Sequence, residues 1–148
     1  MVKLTLTPTQ KKKISHYAVE QSILVPSTTK ADKSISQAQM DKRVANVRKY
    51  LSKQFGGYTS VKAVGGYYSA DKKKLIKERV MKVTGFATTR KFNQKKPEVL
   101  KQMSKWSKEW GQESLGYEHE GDLYYIPANL SNGVRKKKLK SKIKRKKK

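Results

Sequence analysis

Residues 58–70 (YTSVKAVGGYYSA) and residues 74–87 (KLIKERVMKVTGFA) are joined by Asp71, Lys72 and Lys73, and their reading decides the fold. Both runs are rich in Val, Ile, Tyr, Phe and Thr, side chains that suit a pleated, half-buried surface. A short polar link between two such runs is a hairpin loop. A helix pattern lies on either side. Upstream, Ser36 and Gln39 have the spacing of a capping box, in which each side chain satisfies a first-turn amide that lacks an intrahelical partner. Met40, Val44, Val47, Leu51 and Phe55 then recur three or four apart, giving one apolar face, and Gly56-Gly57 supplies a left-handed stop. Downstream, Leu100, Met103, Trp106 and Trp110 form a second stripe, read as core beneath a sheet. Pro97 is expected near its first turn, where a missing amide costs nothing, and Gly111 ends it.

Two outer segments complete the pattern. Residues 16–25 alternate, with Tyr17, Val19, Ile23 and Val25 on one side and Ala18, Glu20, Ser22 and Leu24 on the other, up to Pro26. Residues 114–126 alternate again, and Gly121-Asp122 admits a bulge or a tight hairpin within them. The order β-α-β-β-α-β predicts an α+β, ferredoxin-like chain. Its sheet is expected to have four antiparallel strands, the first and third central, with both helices on one face. The expected organisation is a basic N-terminal arm over 1–14, one domain over 15–127, and a disordered Lys/Arg-rich tail over 128–148.

The phrases FGGYTS (55–60), GGYY (65–68), WGQES (110–114) and EGDLYYI (120–126) resemble those of small phage and prokaryotic proteins with a ferredoxin-like core. The match spans roughly residues 45 to 126. That family has no assigned activity, so the resemblance implies a viral or mobile-element origin and carries over no catalytic residues.

Charge points to a partner. The 148 residues hold 36 Lys and Arg against 11 acids, a net of +25, and 15 of those excess charges sit in acid-free ends. So dense a cationic run repels itself and calls for a polyanion, of which nucleic acid is the commonest. The candidate contacts are Lys11, Lys12 and Lys13 in the arm, Arg43, Arg48 and Lys49 on the first helix, and Lys101, Lys105 and Lys108 on the second. The tail adds Arg135, Lys136, Lys137, Lys138, Lys140, Lys142, Lys144, Arg145, Lys146, Lys147 and Lys148. Together the two helices would offer a basic layer able to position a phosphate backbone.

Other chemistry is thinly signalled. Zero cysteines exclude disulfides and thiolate sites. His16 and His119, on strands expected to be neighbours, make a poor zinc site. Glu109, Glu113, Glu118, Glu120 and Asp122 form an acidic cluster. It would hold Mg²⁺, run acid–base chemistry with His119 or Tyr68, pair with basic side chains, or keep polyanions off the uncovered sheet face. Tyr67, Tyr68, Tyr124 and Tyr125 are the candidate rings for base stacking. No Gly-rich phosphate loop, nucleophile elbow, signal peptide or membrane span is legible, and no cofactor is implied.

The reading is therefore a non-enzymatic, sequence-nonspecific binder of DNA or RNA, cytoplasmic or virion-borne, with no membrane partner. One alternative is a virion or assembly component whose arms contact neighbours, a second copy or a packaged genome. Another is a small enzyme using the strand of Glu118 and Glu120.

Overall fold

A computed structural model describes residues 3–30 and 33–130. Its elements are α1 (Pro8–Lys13), β1 (Val19–Pro26), β2 (Thr28–Thr29), β3 (Lys33–Ser34), α2 (Gln37–Phe55), β4 (Thr59–Ser69), β5 (Lys74–Ala87), α3 (Thr89–Glu109), β6 (Ser114–His119) and β7 (Asp122–Pro127). The large sheet runs β4-β5-β1-β6-β7, antiparallel throughout. The expected first and third strands, β1 and β5, are neighbours inside it.

The four-stranded expectation is corrected to five. Residues 114–126 fold into a hairpin in which His119 opposes Asp122, with Glu120 and Gly121 both at positive φ (50° and 87°). That is the backbone of a two-residue turn whose twist suits antiparallel strands. A change of phase marks the fold-back. Leu115 and Tyr117 oppose Ile126 and Tyr124, so the inward residues pass from odd to even numbers across the turn.

All three helices start on a hydroxyl. Thr7 and Gln10, and Ser36 and Gln39, make reciprocal capping boxes, and the Thr88 hydroxyl accepts from the Lys91 amide. None has an acid in its first turn. α2 ends as expected, at Gly56 with φ 96°. α3 departs from expectation: it begins two turns before Pro97, which lies inside it. Residues 89–98 hold a single large apolar residue, Phe92, so no stripe announced those turns. Thr88 and the Lys- and Gln-rich surface form them nonetheless.

α2 and α3 cover one face of the sheet. Ile23, Val25, Val83, Leu115 and Ile126 from the strands meet Val47 and Leu51 of α2 and Val99 and Met103 of α3, all buried. Fully burying such a side chain stabilises by about 1.5–3 kcal/mol. Trp106 and Trp110 stack 5.5 Å apart within this core, and Tyr50 meets Trp106 edge-on at 5.3 Å. One polar pair interrupts the layer. Gln21 is fully buried and accepts from the Tyr117 hydroxyl at 2.5 Å. Burial, reinforced by nearby Tyr50, holds that phenol well above its ordinary pKa.

Neither α2 nor α3 covers the opposite face. At one level it carries a lateral row of Thr59, Thr84, Ser22 and Glu118 on β4, β5, β1 and β6. Ser22 and Thr84 are buried and share a 2.7 Å hydrogen bond, and Lys82 pairs with Glu118 at 3.3 Å. Among the described residues no helix is long and apolar enough to cross a membrane.

Candidate functional site: an aromatic cleft at the end of the sheet

β1 begins, β5 ends and α2 hands over to β4 at one end of the sheet. Four aromatic residues from these segments therefore come together: Tyr17, Phe55, Tyr58 and Phe86. They line a cleft of about 270 Å³ with Gly56, Gly57, Thr59 and Thr84. None of these eight lining residues is charged. A second hollow of about 340 Å³ shares Tyr17, Phe55 and Gly56, so the two form one concave stretch around the end of α2. Small-molecule sites typically span about 300–1,000 Å³ and combine apolar walls with a few polar groups. Here the polar groups are the Thr59 and Thr84 hydroxyls and the phenols of Tyr17 and Tyr58.

The cleft is held from behind. Gly85 lies against the Gly56-Gly57 turn and Leu51, where an added Cβ would make only ordinary contacts, 3.7 Å from the Gly57 carbonyl and 3.6 Å from Leu51. The Arg48 guanidinium stands over the Tyr58 ring at 5.3 Å and donates to the Ser60 hydroxyl at 2.8 Å, fixing one wall. Thr84 ties the cleft to the Ser22 hydroxyl and so to the polar row of the open face. Glu20, opposite Phe86 in the β1–β5 register, is an exposed carboxylate beside the cleft. Its backbone amide donates to Glu120 at 3.3 Å.

Within the described residues most of the basic candidates proposed from sequence are exposed, and two are taken up by the fold. Lys11, Lys12 and Lys13 are exposed on α1, Lys49 on α2, and Lys101, Lys105 and Lys108 on α3. Arg43 is buried and serves the fold. Its guanidinium donates to the carbonyls of Pro26 and Thr28 at 2.8 Å and of Trp110 at 3.3 Å, and it lies 5.3 Å over the Trp110 ring. Burial pulls its pKa down, and the Glu78 carboxylate pushes it up. The helical basic layer is thus corrected at Arg43 and Arg48. Both sit on the inward side of α2, where a long apolar stem packs while the charged head reaches backbone or ring. Residues 135–148 lie outside the described residues.

The acidic and histidine candidates are engaged separately. Glu118 pairs with Lys82, Glu120 sits in the β6–β7 turn, and His119 stacks on Phe92 at 4.6 Å. His16 precedes β1 and is exposed. Among the described residues no group of three metal-ligating side chains converges. Sequence reasoning missed the cleft because its walls come from the ends of four elements, where periodicity carries no signal. The phrase Phe55-Gly56-Gly57-Tyr58, an aromatic on each side of a tight turn, was the available clue.

No protein-family model and no curated protein matches the chain. Solved structures do. A phage SAM lyase in complex with S-methyl-5'-thioadenosine superposes with a TM-score of 0.52 at 17% identity, over 75% of this chain and 90% of that one. A phage SAM lyase in its apo state gives 0.49 at 16% identity with equal coverage. At this identity the likeness is one of fold. It overturns the expectation of a non-enzymatic binder whose domain only carries basic ends, because the domain has the fold of an enzyme.

Proposed function

We propose that this chain is a small enzyme that binds an adenosyl sulfur compound in the aromatic cleft and acts as a lyase on S-adenosylmethionine. The observation that carries the reading is the uncharged cleft of Tyr17, Phe55, Tyr58 and Phe86, set in a fold that a SAM lyase shares over most of its length. We also read the sheet as ferredoxin-like, the β6–β7 hairpin standing where a single last strand was expected.

Flat aromatic walls suit a purine, which stacks on rings irrespective of hydrogen-bond pattern, while Thr59 and Thr84 offer hydroxyls to a ribose. The same rings favour a sulfonium through their negative faces. As the carbon–sulfur bond to the aminobutyryl chain breaks, sulfur keeps the bonding pair and becomes a neutral thioether, while the substrate's own carboxylate bonds the carbon left behind and closes a lactone. Positive charge therefore disperses toward the transition state. A cleft that replaces hydration with fixed, polarisable walls favours such a step over the same step in water. Glu20 is placed to hold the ammonium of the amino-acid portion, which would position the chain for cleavage.

The test is direct. Purified protein is incubated with S-adenosylmethionine, and S-methyl-5'-thioadenosine is followed by reversed-phase chromatography. Turnover is expected, with Tyr58→Ala and Phe86→Ala each lowering kcat/KM more than about tenfold, equal to about 1.4 kcal/mol of transition-state stabilisation. The absence of both S-adenosylmethionine consumption and calorimetric binding of the thioadenosine would overturn the reading.

A further inference from the structure

β4 and β5 pair along eleven positions, from Thr59 opposite Thr84 to Ser69 opposite Lys74. β1 pairs β5 only from Val80 to Ala87. The far end of the hairpin therefore projects past β1 as a two-stranded ribbon. It is unusually apolar for a free ribbon: Val64, Tyr68 and Leu75 are 72%, 66% and 58% exposed, and Tyr68 and Leu75 are cross-strand partners. Its tip is basic, with Lys72, Lys73, Lys74 and Lys77 against Asp71.

The diagonally opposite corner of the same sheet has the complementary character. Residues 113–130 contain four acids and no Lys or Arg. Leu123 and Tyr125, 51% and 67% exposed, lie there on β7, across from Glu118 and Gly116 on the face that α2 and α3 leave uncovered.

We propose that the basic apolar ribbon of one molecule docks against the acidic apolar β6–β7 corner of a second copy. The choice of occupant follows from charge. A chain of net +25 repels its own copies over most of its surface, and the acidic corner is where a basic ribbon meets attraction instead. Exposed apolar side chains on both partners supply the contact that charge alone does not. Because the two patches differ and sit at opposite corners, the contact is head-to-tail, and repetition closes a ring if the rotation allows. The proposal does not depend on the enzymatic reading, since the aromatic cleft lies at the other end of β4.

The experiment is sedimentation velocity on the nuclease-treated full chain at about 50 µM, well above a Kd near 1 µM. Wild type is expected to be oligomeric. The ribbon variant Tyr68→Ser/Leu75→Ser and the corner variant Leu123→Ser/Tyr125→Ser should each weaken association more than about tenfold, or 1.4 kcal/mol, with unchanged circular dichroism. Mixing the two variants should restore a one-to-one complex, because each retains the patch the other has lost. A monomeric wild type, an oligomer indifferent to either variant, or a mixture that stays monomeric would each overturn the proposal.

Discussion

Replacing Arg43 tests whether this cation holds the fold or awaits an anion. The guanidinium bridges the end of β1, the β2 segment and the residue after α3, with two 2.8 Å bonds to carbonyls, one at 3.3 Å, and a face-on contact with Trp110. A hydrogen bond from a charged donor contributes about 1.5–3 kcal/mol net. Counting only the two short ones at the low end, Arg43→Ala should destabilise by about 3 kcal/mol. With an m value of about 1.5 kcal/mol/M, the urea midpoint then falls by about 2 M. Arg43→Lys keeps charge and stem but cannot span carbonyls with a planar fork, so about half the loss should remain. Urea unfolding followed by Trp fluorescence reads both. An alanine variant within about 0.5 kcal/mol of wild type, or a lysine variant equal to it, would refute the bridging role, since surface changes fall in that range.

Tyr117→Phe strands the buried Gln21 carbonyl and should cost about 1–3 kcal/mol, whereas Tyr117→Phe with Gln21→Leu should recover most of it; additive losses in a double-mutant cycle would contradict this. Burial, aided by Glu98, pushes the Tyr50 phenol up to about 12. The unfolded chain loses that proton near pH 10, so stability should fall as pH rises from 10 to 12, and Tyr50→Phe should flatten the slope in denaturant titrations. Pro97→Ala restores an amide within α3 at an exposed site and should raise stability by about 1–3 kcal/mol in thermal scans; a lower Tm would show that the helix needs its proline.

What the residues revealed, and what they withheld, follows from how local each signal is. α2 was legible end to end because its cap, stripe and stop occupy one uninterrupted segment. The β4–β5 hairpin was legible for the same reason. The start of α3 was not, since Pro97 mimicked an N-terminal signal while Thr88 held the actual cap. The β6–β7 turn was only half legible: Gly121 was visible, but the residue beside it, Glu120, adopts a positive φ that its side chain does not advertise. For the site, charge drew attention to Arg43 and Arg48, although position on a helix face decides whether a cation meets solvent or its own backbone. The cleft depends on which strand ends coincide in space. Only the register of β1 against β5 supplies that.

The helix starts carry one further implication. Thr7, Ser36 and Thr88 close the opening turns with hydroxyls, and Gln fills the reciprocal position in α1 and α2 where many proteins place Glu. No proton can be lost or gained at these junctions in ordinary buffers, so acidification leaves helix initiation untouched. The carboxylates that fasten strands stand apart from these junctions, Glu78 on the Ser27 amide and Thr28 hydroxyl, and Glu118 on Lys82.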